Sequence, residues 1–177
     1  MQKILITTAV VIVILVGGFF AFNAYIYQQK QGPVVDYKNT TYRIEGEVVQ
    51  LTNGRSESEA TPGSATKVVT DYFGNEAKGD LNGDGIPDLA FLLTQTSGGS
   101  GTFYYVVAAI QTAEGGYYGS NAIFLGDRIS PQTTEIREGQ VVVNYAERNP
   151  GEPMSTEPSV GVSLYLKFSN NELVSTE

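Results

Sequence analysis

The sequence contains no cysteine, no histidine and no tryptophan. Without cysteine the chain can form no disulfide bond, no thiolate metal site and no lipid anchor on a cysteine. The joint absence of histidine and cysteine argues against zinc, and it removes the commonest general base and the commonest covalent nucleophiles. Aspartate, glutamate, lysine, serine and tyrosine are therefore the side chains that remain for any chemistry.

The composition of the 177 residues favours one compact β-rich domain. Glycine is abundant at 20 residues and tyrosine reaches 11, a combination typical of strands joined by tight turns. Of the 11 basic residues only Lys3 precedes Lys30, so the remaining 10 face 19 acidic residues. This acidity argues against nucleic acid as a partner and against docking on anionic lipid.

Residues 4–22 form an apolar run of 19 residues without a charge. As a helix rising about 1.5 Å per residue, the run is roughly 28 Å long, close to the thickness of the bilayer core. A cleaved signal peptide is the alternative, but the run is longer than is usual for one and lacks an A-x-A cleavage pattern near its end. The sequence predicts a membrane anchor at residues 1–27, a spacer at 28–39 and a β-domain at 40–177.

The segment GDLNGDGIPD, residues 79–88, carries the clearest signal for a bound ion. It places oxygen side chains at the offsets 1, 3, 5 and 9 of a calcium loop, a backbone carbonyl at offset 7, and Gly85 at offset 6, where the chain must turn sharply. Several carboxylates this close repel one another unless a divalent cation lies among them. We therefore predict Ca²⁺ as the cofactor, with the ligands Asp80, Asn82, Asp84, the carbonyl of Ile86, and Asp88.

Two features of this loop leave alternatives open. Asn-Gly and Asp-Gly pairs also form ordinary tight turns, so Asn82-Gly83 and Asp84-Gly85 can connect two strands without an ion. A full EF-hand carries a bidentate glutamate at offset 12, and that position is Phe91. Asp71 and Glu76, which lie just upstream in the sequence, are candidates for an additional outer ligand.

The pattern D-x-[DN]-x-D-G-x-x-D at residues 80–88 resembles the calcium loops of FG-GAP and VCBS-type repeats. Phe73-Gly74 upstream and the apolar strand at residues 89–91 downstream are similar to those repeats as well. The loop occurs once, so the propeller that such repeats often build is not implied. The wider layout, with GSGTFYY at 99–105 and FLGDR at 124–128, resembles uncharacterised single-pass bacterial membrane proteins that have no known activity.

The charge and the metal loop together predict which side of the membrane the domain occupies. Calcium is millimolar outside cells and scarce inside them, and a loop without the glutamate at offset 12 suits weak binding. The strongly acidic domain follows the apolar run, and only Lys3 precedes that run. We expect a single-pass protein whose C-terminal domain lies outside the cytoplasm.

The apolar pattern after residue 40 predicts an antiparallel β-sandwich or open barrel preceded by one transmembrane helix. Residues 89–96 and 102–112 are apolar on both faces, which indicates a central strand pair that is covered on both sides. Residues 55–64 and 149–158 are predicted loops. No segment after residue 22 shows a clear helical period, and 61–72 is the least unfavourable candidate if a helix is present. Further strands are predicted at 42–44, 48–51, 67–73, 122–125, 134–137, 140–145, 160–168 and 172–175. Hairpin turns are predicted at Glu45-Gly46, Asn53-Gly54, Glu138-Gly139 and Asn170-Asn171, and Asp127-Arg128 is predicted as a local ion pair.

Two functions are consistent with these patterns. The preferred one is a calcium-stabilised, membrane-anchored module that binds an extracellular protein or glycan or supports the cell envelope. The alternative is an extracellular hydrolase that cleaves cell-wall glycan with carboxylate catalysts. The absence of histidine and tryptophan ranks the hydrolase second, and the sequence identifies no catalytic residue.

Overall fold

The computed structural model describes residues 16–23 and 36–176, and the chain divides into two units, Met1–Val34 and Val35–Glu177. Residues 16–23 are helical with exposed side chains. The rest of the predicted anchor, and the predicted spacer up to residue 35, lie outside the described residues. Within the described ranges, no helix combines the length and the apolar character that a membrane crossing requires.

The described part of the second unit is built almost entirely from strands. A short 3₁₀ helix at Tyr37–Asn39 precedes them. The strands are β1 (Thr41–Ile44), β2 (Glu47–Gln50), β3 (Arg55–Glu59), β4 (Lys67–Gly79), β5 (Asp88–Thr96), β6 (Phe103–Gln111), β7 (Tyr117–Gly119), β8 (Ile123–Asp127), β9 (Ser130–Arg137), β10 (Gln140–Glu147), β11 (Val160–Ser169) and β12 (Glu172–Ser175).

These strands pair antiparallel in three sheets. A large sheet has the order β3-β4-β5-β6-β7, and β8 also pairs with β6. A second sheet has the order β12-β11-β10-β9, and β1 and β2 form a separate hairpin. The predicted all-β class with antiparallel sheets is confirmed, and the sheets curl into a half-barrel.

The β5–β6 pair lies at the centre of the large sheet and is buried on both faces, as the sequence predicts. Ala90 and Leu92 of β5 face a cluster that includes Val141 and Leu166 of the second sheet. On the opposite face, Leu89, Phe91 and Leu93 pack in a cluster that also contains Tyr42, Ile44 and Leu51 from the β1–β2 region. Alternate side chains of one strand thus enter two different cores, because they point to opposite sides of a sheet.

Tyr37 attaches the 3₁₀ helix to the second of these cores. Its ring lies 5.5 Å from the ring of Phe91, 6.2 Å from that of Tyr72 and 5.8 Å from that of Tyr117, all in edge-to-face arrangements. Aromatic pairs favour this geometry because the positive ring edge meets the negative ring face. The β-domain therefore includes the end of residues 28–39, the segment predicted as the spacer.

Several predicted turns are confirmed, and their backbone angles explain the residues that form them. Glu45-Gly46, Asn53-Gly54 and Glu138-Gly139 all have positive φ at both positions. This is the geometry of a two-residue hairpin turn, whose twist matches that of the flanking strands. The turn at Asn170-Asn171 likewise has positive φ at both residues, and it joins β11 to β12.

The loop predicted at residues 55–64 is wrong in part, because residues 55–59 form β3. The strand predicted at 67–73 is confirmed as the first part of β4, and the helix candidate at 61–72 is not helical. The strand β3 is polar, so its sequence lacks the apolar alternation of a half-buried strand. Its pairing with β4 is accompanied by two cross-strand ion pairs, Arg55 with Asp71 at 2.8 Å and Lys67 with Glu59 at 3.6 Å.

Candidate metal centre

The acidic loop, residues 80–87, connects β4 to β5 at one end of the large sheet. Gly79 and Asp88 are paired across the two strands, so the loop begins and ends at neighbouring positions. The carboxylate of Asp80 accepts one hydrogen bond from the N–H of Gly83 at 2.7 Å and another from the N–H of Gly85 at 2.9 Å. Gly83 and Gly85 both have φ of +81°, a conformation that glycine adopts without steric cost.

The next two predicted ligands continue this pattern of local turns. The side-chain oxygen of Asn82 accepts a hydrogen bond from the N–H of Asp84 at 3.0 Å. One carboxylate oxygen of Asp84 accepts from the N–H of Ile86 at 2.7 Å, and the other accepts from the amide of Asn82 at 2.9 Å. Side chains that accept from backbone groups two residues ahead are typical of Asx turns, which fix the direction of each oxygen.

Asp88 differs from the other ligands because its side chain is completely buried. One carboxylate oxygen accepts a hydrogen bond from the N–H of Leu81 at 2.9 Å, and the other accepts from the N–H of Gln111 at 2.9 Å. The first bond closes the acidic loop onto its own start. The second bond ties the loop to the end of β6, so that Asp88 links three segments of the chain.

The charged groups that act on the Asp88 carboxyl are the acidic side chains of Asp84 and Asp80. Burial raises the pKa of the Asp88 carboxyl, the hydrogen bonds from Leu81 and Gln111 oppose this effect, and Asp84 and Asp80 add to the rise. No lysine or arginine forms an ion pair with Asp88 among the residues that the structure describes. A buried carboxylate without a counter-charge is costly, which makes this position a good one for a cation.

The pKa of the Asp80 carboxyl is shifted in the opposite direction to that of Asp88. The N–H groups of Gly85 and Gly83 hold the pKa of the Asp80 carboxyl below its usual value. Hydrogen bonds donated to a carboxylate favour the ionised form, and Asp80 is partly exposed to water, so burial has less effect on it. Asp80 is therefore ionised over a wide pH range and available to a cation.

The donor set of the acidic loop fits a hard cation. Each carboxylate oxygen of Asp80, Asp84 and Asp88 accepts one hydrogen bond from the protein, which leaves further lone pairs on every oxygen. No described residue donates a hydrogen bond to the carbonyl of Ile86. Calcium takes six to eight oxygen ligands in flexible geometry, and this loop offers oxygens only.

The five predicted ligands are all in or directly after one loop, but they do not form a closed cage. Within residues 16–23 and 36–176, no group of three or more acidic, histidine or cysteine side chains is arranged so that it could hold a metal ion. The carboxylates of Asp80, Asp84 and Asp88 instead accept hydrogen bonds from groups of the loop and from the N–H of Gln111.

The two candidates for an outer ligand are engaged elsewhere. Asp71 forms a salt bridge with Arg55 at 2.8 Å across β3 and β4. Glu76 accepts a hydrogen bond from the hydroxyl of Tyr72. The partners that the structure gives to both side chains thus lie outside the acidic loop.

A second carboxylate, Asp127, lies at the opposite end of the β5–β6 pair. The predicted ion pair with Arg128 is confirmed at 2.9 Å, and Asp127 also accepts a hydrogen bond from the N–H of Thr102 at 2.8 Å. The second contact was not predictable, because no local pattern indicates that residues 25 apart meet. Hydrogen bonds from Arg128 lower the pKa of the Asp127 carboxyl, against the smaller opposing effect of burial.

A comparison with known protein families, curated proteins and solved structures finds no match to this chain. The resemblance of residues 80–88 to FG-GAP and VCBS-type loops stays a prediction from the residues. The features of this chain that favour a metal are the donor set of the acidic loop and the environment of Asp88.

Proposed function

We propose that the acidic loop binds one calcium ion, with Asp80, Asn82, Asp84, the carbonyl of Ile86, and Asp88 as ligands. The observation that carries this proposal is the buried carboxylate of Asp88, which has two N–H donors and no counter-charge among the described residues. A divalent cation would supply the missing positive charge and would be shared with Asp80 and Asp84. The ion acts structurally, since it joins the β4–β5 connection to the end of β6.

Calcium fits this loop better than magnesium or zinc. Magnesium demands near-ideal octahedral geometry and dehydrates reluctantly, whereas the ligands here are spread over nine residues of a glycine-containing loop. Zinc prefers nitrogen and sulfur ligands, and the sequence has neither histidine nor cysteine. A structural calcium ion also suits a domain that cannot form a disulfide bond.

We further propose that the chain is a membrane-anchored protein whose β-domain faces outward and serves as a binding or envelope-structural module. Three features support this role: the uncharged apolar run at residues 4–22, the acidic character of the chain after Lys30, and a loop suited to the calcium concentration outside cells. In this arrangement residues 1–27 are the anchor, 28–39 the spacer and 40–177 the outward domain.

The calcium proposal is tested by thermal unfolding of the purified full chain in millimolar calcium and in EGTA. Calcium is expected to raise the melting temperature, because an ion that binds only the folded state stabilises it by mass action. The variant Asp84→Asn keeps an oxygen for the N–H of Ile86 but removes a charge, so it should lose most of the response. Glu157→Gln, which removes an exposed charge outside the loop, is the matched control.

Equal melting temperatures in calcium and EGTA for the wild-type chain would contradict the calcium site. A calcium response that Asp84→Asn leaves intact would show that the ion binds elsewhere. Direct titration calorimetry with calcium, and with magnesium as the competing ion, then measures affinity and selectivity for the same three proteins.

The hydrolase alternative remains a prediction. An assay for released products distinguishes hydrolysis from binding. Incubation of the full chain with peptidoglycan and with soluble glycans would release soluble fragments if the protein hydrolyses them. A binding module would retain the polymer without producing fragments. If soluble fragments are released only when the protein is present, the protein is a hydrolase and the proposed binding role is wrong.

A further inference from the structure

A V-shaped groove opens between β2 and β3, far along the chain from any predicted metal ligand. The two strands are joined by the Asn53-Gly54 turn and make one reciprocal backbone contact. The N–H of Thr52 donates to the carbonyl of Arg55 at 2.8 Å, and the N–H of Arg55 donates to the carbonyl of Thr52 at 3.1 Å. Beyond this contact the strands separate, because β2 pairs with β1 and β3 pairs with β4.

The β2 wall of the groove presents backbone groups that have no partner. The N–H of Leu51 donates to the carbonyl of Thr40 at 3.0 Å, so Leu51 directs its backbone groups toward the β1 side. In an antiparallel pair these directions alternate along the strand. Val48 and Gln50 therefore direct their N–H and C=O groups away from β1, and no described residue bonds to them.

The β3 wall presents a matching row. Arg55 directs its backbone groups toward Thr52, so by the same alternation Glu57 and Glu59 direct theirs away from β4, to the side on which β2 lies. Ala60 confirms the alternation, because its N–H donates to the carbonyl of Thr66 on the β4 side at 2.9 Å. Among the described residues nothing bonds to the backbone groups of Glu57 or Glu59. The groove thus has an unpaired strand edge on each side.

The groove has a volume of about 580 Å³, within the range of roughly 300–1,000 Å³ that is usual for ligand sites. Its lining alternates between small apolar side chains, such as Val48 and Val68, and the carboxylates of Glu45, Glu47 and Glu59. No described lysine or arginine lines it. Glu45 and Glu47 form no ion pair with any described residue, so the groove carries uncompensated negative charge.

An aromatic hollow continues the groove past Glu45. It has a volume of about 260 Å³ and is lined by Phe103, Tyr105 and Phe124 together with Glu45. The ring of Phe124 is 52% exposed and lies 5.4 Å from the ring of Tyr105, whose hydroxyl donates to Glu45 at 2.9 Å. A cation that meets a carboxylate beside exposed aromatic rings gains from both contacts.

The charge of the walls decides which occupant fits. A second copy of this chain would bring its own β2 or β3 edge, and the glutamates on those edges would repel the carboxylates of the groove. Charged edge strands are a usual protection against such self-pairing. A basic segment meets complementary charge instead, and an extended backbone can pair with both unpaired edges at once, antiparallel to one and parallel to the other.

We propose that the groove between β2 and β3 binds an extended peptide segment of a partner protein that alternates lysine or arginine with small apolar residues. The peptide adds a strand between β2 and β3, and its basic side chains contact Glu45 and Glu47. This inference specifies the partner class of the proposed binding role. It does not depend on calcium, because no predicted metal ligand lines the groove.

The test measures binding of a fluorescent peptide of alternating lysine and valine to the full chain by fluorescence anisotropy. The decisive variant is Glu57→Pro, because proline removes an N–H that points into the groove and leaves the bonds between β3 and β4 in place. Glu57→Ala removes the same side-chain charge but keeps the N–H, and is the matched control. Glu57→Pro should bind roughly tenfold more weakly than Glu57→Ala, the effect of about one backbone hydrogen bond.

The charge contribution is tested by the double substitution Glu45→Gln with Glu47→Gln. Its affinity should fall severalfold at low salt and approach that of the wild type at high salt, since salt screens exposed charges. Val48→Pro removes an N–H from the opposite wall and should weaken binding as Glu57→Pro does. It serves as the second variant if Glu57→Pro unfolds the domain.

Four results would overturn the proposal. They are equal affinity of the proline and alanine variants, equal binding of polylysine and the alternating peptide, displacement of the peptide by a soluble glycan, and concentration-dependent self-association that blocks the peptide. Running every titration in calcium and in EGTA separates the two proposals. If the wild-type chain responds to calcium but does not bind the peptide, only the groove proposal is overturned. If it binds the peptide but does not respond to calcium, only the calcium proposal is overturned.

Discussion

Asp88 and Asp127 lie at opposite ends of the β5–β6 pair and have similar structural roles. Each carboxylate accepts a backbone hydrogen bond that ties a loop to a strand, from Leu81 and Gln111 in one case and from Thr102 in the other. Asp127 also contacts the guanidinium of Arg128 at 2.9 Å, whereas Asp88 has no basic partner among the described residues.

As a result, the pKa values of the Asp88 and Asp127 carboxyls are shifted in opposite directions. Arg128 lowers the pKa of the Asp127 carboxyl, while burial raises that of Asp88 despite two N–H donors. At Asp88 the two backbone hydrogen bonds do not offset the effect of burial, whereas at Asp127 the hydrogen bonds from Arg128 exceed it. Under the calcium proposal, the bound ion has at Asp88 the role that Arg128 has at Asp127.

The largest expected effect comes from removing the Asp88 carboxylate. Asp88→Ala leaves the N–H groups of Leu81 and Gln111 without their acceptor, at a cost of about 1–3 kcal/mol for each group, or roughly 2–6 kcal/mol in total. Asp127→Ala, which releases the single N–H of Thr102, should cost about half as much. Urea unfolding of both variants measures the difference, and a loss below about 1 kcal/mol for Asp88→Ala would contradict the structural role.

Bound calcium should give the Asp88 carboxylate a positive partner, as Arg128 does for Asp127. At a free concentration of about 100 times its dissociation constant, calcium is expected to add about 2.7 kcal/mol to the free energy of unfolding. Asp88→Asn should lose this gain because it removes the charge that the ion neutralises, and Asp127→Asn should keep it. Urea unfolding with and without EGTA checks both variants. An equal calcium gain in Asp88→Asn and the wild type would exclude Asp88 as a ligand.

The pH dependence of Asp127 gives a smaller effect whose sign follows from its lowered pKa. The folded-state pKa lies below the unfolded value of about 3.9, so ionised Asp127 contributes stability above that pH. This contribution is lost as the pH falls through the folded-state pKa. Asp127→Asn should therefore be about 1–2 kcal/mol less stable than the wild type at neutral pH, with a difference that shrinks in acid.

Denaturant unfolding at a series of pH values in EGTA measures this difference. Glu157→Gln serves as the control, because Glu157 is exposed and has no described partner. A difference between Asp127→Asn and the wild type that is independent of pH would show that the Asp127 charge contributes nothing to the folded state.

The smallest expected effect tests the guanidinium itself. Arg128→Gln should cost under about 1 kcal/mol, because the pair is partly exposed and the N–H of Thr102 still contacts Asp127. The pKa of the Asp127 carboxyl, followed by NMR, should rise toward the ordinary value. A pKa that stays unchanged in Arg128→Gln would show that the backbone contact alone controls this carboxylate, and the comparison with Asp88 would lose its basis.

Local patterns predicted much of the fold. The β5–β6 pair was predicted because its strands are apolar on both faces, and the turns at Glu45-Gly46 and Asn53-Gly54 were predicted because a residue pair ending in glycine interrupts the strand pattern at each. The strand β3 was missed because its stability comes from pairing with β4 and from cross-strand charges. Such contacts join distant residues and produce no apolar period in the sequence.

The candidate metal centre was also predictable only in part. The ligands Asp80, Asn82, Asp84 and Asp88 were named from their spacing alone, since the offsets of a calcium loop lie within nine residues. That Asp88 is buried and bonded to Gln111 could not be predicted, because the contact spans 23 positions and depends on the register of β5 with β6. The pairing of Asp71 with Arg55 was likewise not predictable, because it joins two strands and depends on the register of β3 with β4.

The sequence by itself determined the local chemistry of this protein: an oxygen-only loop, glycines at the sharp turns, two-faced apolar strands, and the absence of thiol and imidazole groups. Only the tertiary structure decided which carboxylate is deprived of a counter-charge and which strand edges remain unpaired. Both properties depend on burial and strand pairing between segments far apart in the chain, and these are set when the whole domain packs.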